Sequence, residues 1–257
     1  LVKGDVEYLI KLKKEKDIAA IEKAAKIVGE TLEMSRELVV PGVSTYEIDR
    51  KIEEFIRSKG AIPSFKGYQG FPASACISVN EVLIHGIPSK KTILREGDIV
   101  SVDVGAYIGG FHGDAARTFG VGEISEEAQR LLNVTSRSLD LALEVLAKAE
   151  RLGEMGHAVQ KYAESEGYSV IRDFGGHGIG REMHEDPFIP NFGPSESGPK
   201  LRPGLVLAVE PMLSIGDYPV MTLEDGWGVV NVDWSLNAHF EDDVAITEEG
   251  IKILSRI

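Results

Sequence analysis

The sequence predicts a single α+β domain built from two similar halves, and three observations carry that prediction. First, the stretch Leu94-Arg95-Glu96-Gly97-Asp98-Ile99-Val100-Ser101-Val102-Asp103 is answered by Leu201-Arg202-Pro203-Gly204-Leu205-Val206-Leu207-Ala208-Val209-Glu210, at an offset of 107 residues. Second, at the same offset Tyr46-Glu47-Ile48 with Ile52, Phe55, Ser58 and Gly60 matches Gly153-Glu154-Met155 with Val159, Tyr162, Ser165 and Gly167. Third, each half reads helix, helix, strands, in a 257-residue chain with no low-complexity tract and no Pro/Ser-rich linker. One domain over residues 1–257 is expected, with halves at about 15–122 and 123–254. At 43% hydrophobic residues the chain has enough apolar side chains for a sizeable core.

The elements follow in order. A helix is expected from Glu15 to Val39, because Ile18, Ile21, Ala25, Val28 and Leu32 recur on one face. Pro41-Gly42 ends it. Ser44 followed by Glu47 is a capping box that opens a second helix, burying Ile48, Ile52 and Phe55 and stopping at Gly60. Loops and short strands, including Ala75 to Val79, fill the span to Pro88. Asp98 to Gly105 and Ala106 to Phe119 read as paired strands turning at Gly109-Gly110. Ser125 caps a third helix with an apolar stripe of Ala128, Leu131, Leu132, Thr135, Leu139 and Leu146. A fourth helix is read from Glu154 to Glu166, and the final third is β-rich.

With 28 basic against 41 acidic residues the formal charge is −13 and the pI near 5.0. Such a surface disfavours nucleic-acid phosphates and anionic membranes. Cys76 is the single cysteine, so no internal disulfide is possible and a reducing compartment fits. The stretch Leu1 to Asp17 mixes lysines with acids and lacks the apolar core of a signal peptide. No run approaches the length of a membrane helix. A cytoplasmic protein is expected, and the start on Leu1 fits an unusual start codon or a trimmed chain.

The repeat brings Asp103 and Glu210 to equivalent places beside a central two-fold axis. Two buried carboxylates facing each other repel unless a proton or a cation lies between them. Asp114 follows Asp103 by eleven residues, room for a strand, a tight turn and a return strand. The second half offers His239-Phe240-Glu241 on an apolar strand, and a loop of four glycines, Gly175-Gly176-His177-Gly178-Ile179-Gly180, that would present an imidazole without steric interference. Singly, a strand Asp is as often salt-bridged, and a glycine-rich turn as often only a turn. As a set, Asp103, Asp114, His177, Glu210 and Glu241 point to metal ligation. One imidazole with four carboxylates suits two hard or borderline divalent ions, Mn, Fe, Co or Zn, sharing an activated water. Of the other histidines, His157 reads as solvated, and His112 and His239, each two residues before a ligand candidate, read as supports of the neighbouring ligands or as structural rather than as ligands. His85 and His184 could each serve as proton donors to substrate or be structural; spacing leaves that open.

These residues together resemble the type I methionine aminopeptidase family. The matching segments are Cys76-Ile77-Ser78-Val79-Asn80-Glu81 through His85-Gly86-Ile87-Pro88, Gly97-Asp98-Ile99-Val100 to Asp103, Gly113-Asp114, Gly176-His177-Gly178-Ile179-Gly180, His184-Glu185, Glu210-Pro211-Met212, Glu224-Asp225-Gly226-Trp227 and His239-Phe240-Glu241. The resemblance runs from about Lys16 to Leu254. It implies the pita-bread fold, a curved antiparallel sheet with helices outside, closing over a dinuclear metal centre. By family pattern Asp103 holds one metal in bidentate fashion, Asp114 and Glu241 bridge, and His177 and Glu210 complete the other. Metal-activated water would attack the first peptide carbonyl, Glu210 would move protons, His85 would contact the scissile amide and His184 would support the oxyanion. The methionine pocket would comprise Tyr68, Phe71, Cys76 and Trp227, with Phe65 and Met183 at its edge. The implied partners are N-terminal Met peptides and nascent chains, with ribosome contact left open, and a monomer is expected. The 25 residues between His184 and Glu210 leave no room for the helical insertion of type II enzymes, and no cysteine-rich zinc extension is present. Phe65 departs from relatives with a smaller residue, which bears on pocket size. Two rivals remain: a Xaa-Pro aminopeptidase or prolidase sharing the fold and ligand set, and a non-enzymatic pita-bread binding protein.

Overall fold

A computed structural model describes residues 9–257; the first eight residues, part of the stretch read as lacking a signal peptide, lie outside the described residues. The first half consists of α1 (Glu15–Leu38), α2 (Thr45–Ser58), β1 (Ile62–Pro63), β2 (Ala75–Val79), β3 (Val82–Ile84), β4 (Ile99–Ile108) and β5 (Phe111–Gly120). The second begins with α3 (Glu126–Leu146), α4 (Leu152–Ser165), β6 (Ser169–Val170), β7 (Gly176–Gly178), β8 (Glu185–Ile189) and β9 (Val206–Val209). It continues with β10 (Met212–Ser214), β11 (Val220–Thr222), β12 (Val229–Asn231), β13 (Asn237–His239), β14 (Asp242–Thr247) and β15 (Gly250–Ile253).

The repeat holds at the level of the backbone. Helices α2 and α4 have the same length, 14 residues, and start and stop at the repeat offset. In each, a glutamate three residues in accepts from the N-cap amide, Glu47 from Ser44 and Glu154 from Arg151, both at 2.9 Å. Each is followed by a left-handed glycine, Gly60 (φ 75°) and Gly167 (φ 87°), where a Cβ would be strained. The turns into β4 and β9 likewise use left-handed Gly97 (φ 90°) and Gly204 (φ 95°).

All pairing among the described strands is antiparallel. β4 pairs with β1, β2 and β5, while β15-β14-β9-β7-β8 form a five-stranded sheet. An antiparallel bridge between Ala116 and Glu241 joins the two, and Glu241 N donates to Ala116 O at 2.9 Å. The helices pack outside. Ile27, Val28, Ile48, Ile52 and Ile56 meet Val100, Val102 and Val104. In the second half Leu131, Leu139, Met155 and Val159 meet Leu207, Val209 and Val244.

The expected stripes on α1 and α3 are buried throughout. On α2 the buried series is Ile48, Ile52 and Ile56; Phe55, expected inside, is partly exposed beneath Lys59, whose Nζ lies 4.9 Å from its ring centre. The i, i+4 spacing favours Ile56, and Phe55 falls a residue, or 100°, to the side. Helix α4 starts two residues ahead of the expected Glu154, because its cap is Arg151. The glycine-rich segment expected as a loop around His177 is the inner strand β7. Its glycines serve close packing: a Cβ on Gly176 would lie 2.2 Å from Ala208 O and one on Gly178 2.3 Å from Asp186 O.

Helix α1 crosses β5 at Gly113, beside Asp114. A Cβ there would lie 2.4 Å from Ala25 N, a backbone atom with no room to yield. Gly113→Ala should therefore separate helix from sheet, costing about 1–3 kcal/mol and lowering Tm by roughly 2–10 °C. Thermal denaturation of the variant beside the parent checks this; an unchanged Tm would mean the contact is loose.

Candidate metal centre and substrate cavity

The β4–β5 register explains the eleven-residue spacing. Asp103 pairs with Ala116 and Gly105 with Asp114, so the two carboxylates lie on one face as diagonal neighbours across the hairpin. On the other side of β4, Cys76 pairs with Asp103 and shares that face. In the second half His177 pairs with Ala208, two residues before Glu210. Asp242 pairs with Val209, and one step further in that register sets Glu241 opposite Glu210. The Ala116–Glu241 bridge then brings the halves' carboxylates together.

The ligand atoms converge. Asp114, His177 and Glu241 each offer an atom within 4.8 Å of the others. His177 Nε2 stands 3.8 Å from Asp114 Oδ2 and 3.7 Å from Glu210 Oε1. Asp114 (3% exposed), Glu241 (2%) and His177 (8%) are buried, and Glu210 nearly so. Among the described residues, no Lys or Arg pairs with any of the four carboxylates. Arg117 donates through Nη1 to Ala116 O and Glu241 O and through Nη2 to the Asp242 carboxylate, so it engages none of the four carboxylates.

Burial lifts the Asp103 carboxyl to about 7, and pushes those of Asp114, Glu210 and Glu241 well above the usual range. Repulsion among neighbouring carboxylates adds to this for Asp114 and Glu241. Burial also drops His177 to about 3, with His184 assisting, so the imidazole is neutral and free to ligate. Asp103 Oδ1, Asp114 Oδ1 and Glu241 Oε1 are enclosed without a hydrogen-bond partner. Unpartnered oxygens beside a neutral imidazole and without counter-charge are what divalent cations satisfy. The residues fit a pair of such ions, with the four carboxylates and His177 as donors.

A cavity of about 670 Å³ opens over these groups. Tyr68, Phe71, Cys76, Trp227 and Phe65 line one side, as expected from sequence, and His85 and His184 line it too. Phe71 and Trp227 meet edge to face at 5.1 Å. Met183, expected at the pocket's edge, instead packs behind the wall; its Cε and Phe65 both crowd the Cβ position of Gly105. His85 follows β3 with φ +58°, uncommon for a residue with a Cβ, and its ring stands edge-on to Phe174 at 5.8 Å. Burial, with His239 and His184 adding, lowers its pKa to about 4. The Cys76 thiol is raised well above its normal value by burial and then by Asp103, so it faces the pocket as a neutral thiol.

Sequence reasoning did not single out Ile84, Phe174 and Phe188, which also line the cavity. It also missed two supports. Asp243, wholly buried, accepts from Asp114 N at 2.8 Å, and Asn191 Nδ2 donates to Glu210 O at 2.9 Å. His239, read as a support of the ligands or as structural, places Nε2 3.3 Å from Glu210 Oε2. Asp243 had a signal, a second acid directly after Glu241-Asp242 on an apolar strand; the aromatic walls had none. His112 is structural, its Nδ1 lying 2.9 Å from Ser64 Oγ, and His157 is exposed.

The methionine aminopeptidase of Clostridium acetobutylicum is 53% identical over 247 residues, covering 96% of this chain and 99% of that one. Methionine aminopeptidase 1 of Bacillus subtilis is 48% identical over 97% of this chain and all of its own. A crystal structure of methionine aminopeptidase from Thermotoga maritima, 44% identical, superposes with a TM-score of 0.95 and covers 97% of this chain and 100% of that one. Residues 19–248 match metallopeptidase family M24, a span that takes in all five ligand candidates and both cavity histidines. The chain belongs to metallopeptidase family M24.

Proposed function

We propose that this chain removes the N-terminal methionine from peptides and newly made proteins whose second residue is small. One observation carries the reading: four carboxylates and a neutral imidazole, with no Lys or Arg paired to those carboxylates among the described residues, line an aromatic-walled cavity of about 670 Å³. The similarity to methionine aminopeptidases over whole chain lengths supports the same reading. When bound, two divalent ions supply Lewis acidity toward the first peptide carbonyl and lower the pKa of an attacking water.

The chain's own residues supply the rest. Asp103, Asp114, His177, Glu210 and Glu241 are the residues that would hold the ions. Tyr68, Phe71, Cys76 and Trp227, with Phe65, receive the methionine side chain, whose thioether suits aromatic edges and a neutral thiol; Met183 shapes this pocket from behind. His184 donates to the carbonyl oxygen as negative charge develops there. His85, neutral at physiological pH, meets the scissile amide. Glu210, beside His239 Nε2, takes the water's proton and passes it to the departing amine. The walls exclude bulk water and leave a narrow mouth for the second residue. Action in the cytoplasm on nascent chains, as a monomer, belongs to this reading. No helix among the described residues is long and apolar enough to cross a membrane.

On the family pattern Asp114 and Glu241 would each serve both ions, so Asp114→Ala and Glu241→Ala should each abolish binding of the pair. Calorimetric titration with Mn or Co measures this; two sites of parental affinity in either variant would remove the bridging role.

His184→Ala should keep its metal and lose roughly 10²–10³ in kcat, the usual effect of deleting one oxyanion donor. Metal analysis beside steady-state kinetics decides it, and metal loss would make His184 a ligand.

Met-Gly, Met-Ala and Met-Ser peptides should be cleaved well, and Met-Lys, Met-Arg, Met-Phe and Leu- or Lys-initiated peptides poorly. Each added bulky group should cost a few kcal/mol of transition-state binding. A kcat/KM panel that included Ala-Pro peptides would test this. Equal rates for Met-Ala-Ser and Met-Lys-Ser, or a preference for Xaa-Pro, would overturn the function.

A further inference from the structure

The His184 ring has two aromatic neighbours. Its centre lies 4.2 Å from that of His177 and 5.3 Å from that of Tyr68. Between Tyr68 Oη and His184 Nδ1 the distance is 2.8 Å, a full hydrogen bond. It is the one hydrogen bond of the Tyr68 hydroxyl among the described residues, and His184 Nε2 has no protein partner there. Tyr68 itself is fixed. It opens the one-turn helix Tyr68–Gly70, where Tyr68 N donates to Phe65 O at 2.9 Å, Phe71 N to Tyr68 O at 2.9 Å and Gly67 N to Phe71 O at 2.8 Å. The hydroxyl is therefore presented from a closed loop rather than a mobile one.

A neutral imidazole carries one proton, and the bond made by one nitrogen decides where it sits. A phenol O–H is a stronger donor than an imidazole N–H, and a bare imidazole nitrogen a stronger acceptor than a phenol oxygen. The pair therefore runs O–H to Nδ1, which leaves the ring proton on Nε2. A bare Nε2 would repel a developing oxyanion; a protonated one donates to it.

We propose that Tyr68 is a positioning residue for His184, its hydroxyl donating to Nδ1 and so keeping the proton on Nε2, the nitrogen left for the substrate carbonyl. This rests on the reading of His184 as the carbonyl-oxygen donor and gives Tyr68 a task beyond lining the methionine pocket. A net hydrogen bond of ordinary strength biases the two tautomers by roughly 2- to 12-fold. Loss of the hydroxyl should thus cost much less than loss of His184.

The test uses zinc-loaded protein labelled with 15N-histidine. Long-range 1H–15N correlation separates protonated from bare ring nitrogens, with the His184 signals assigned by their loss in His184→Asn. The expected result is a bare Nδ1 and a protonated Nε2 in the parent, and averaged tautomers in Tyr68→Phe. In Tyr68→Phe, which keeps the aromatic wall, the Nε2-protonated fraction falls from about 0.67–0.92 to about one half, so kcat on Met-Ala-Ser should fall roughly 1.3- to 1.9-fold with KM and metal content unchanged. A protonated Nδ1 in the parent, or parental 15N shifts and kcat in Tyr68→Phe, would overturn the proposal. A rise in KM at unchanged kcat would also overturn it, by assigning Tyr68 to methionine binding alone. The tautomer is read without turnover, so a parent protein inactive on every Met peptide would fail the functional reading while the spectrum still judged Tyr68.

Discussion

Four carboxylates packed around one imidazole, with no lysine or arginine paired to them among the described residues, form the constraint on which the rest of this structure depends. In a low-dielectric interior such charges repel strongly, and each would rather take up a proton than stay bare. The raised carboxyls of Asp103, Asp114, Glu210 and Glu241 are the expression of that cost. A rigid antiparallel framework is needed to hold them in place against it. Each half supplies two of the four, and the Ala116–Glu241 bridge closes the gap between the sheets.

The surroundings stabilise the backbone that carries the ligands and leave the site's charge uncompensated. Arg117 grips Glu241 O and Asp242; Arg256 Nε takes the other oxygen of Asp242 at 2.7 Å and its Nη2 reaches Asp140. Asp243 holds the Asp114 amide. Replacing such buried polar groups with apolar ones often leaves stability unchanged or improved, so their value here lies in geometry. They aim the candidate ligands while Arg117 and Arg256 are engaged on Asp242, which leaves the four carboxylates open to divalent cations.

A second layer organises the segment that bears His184. Lys13 Nζ lies 2.7 Å from Glu185 Oε2, both side chains nearly inaccessible, and the other oxygen of Glu185 accepts from Arg181 N at 3.0 Å. Leu9 N donates to Asp186 at 2.8 Å. The chain just before α1 thus straps the start of β8, directly after His184, against the cavity. Residues far apart in sequence, from Leu9 to Trp227, meet around one opening, and Tyr68 and His177 both neighbour the ring of His184.

The four helices and the repeat at an offset of 107 were legible in the residues alone, which also nominated the five candidate ligands. Capping residues, 3.6-residue apolar periods and turn glycines act locally, so Ser44, Glu47, Gly60 and Gly97 could be read in place, and the repeated carboxylate at a strand end marked Asp103 and Glu210. The tertiary structure decided what depends on distant neighbours. The glycines around His177 belong to a strand because Ala208 O and Asp186 O press against them from both sides, a crowding that no local pattern encodes. Met183 sits behind the cavity wall, and Phe174 and Ile84 on it, because side-chain direction at those positions follows from packing across the two halves. Asp243 looked like one more acid on a strand until the fold brought the Asp114 amide to it across 129 residues of chain.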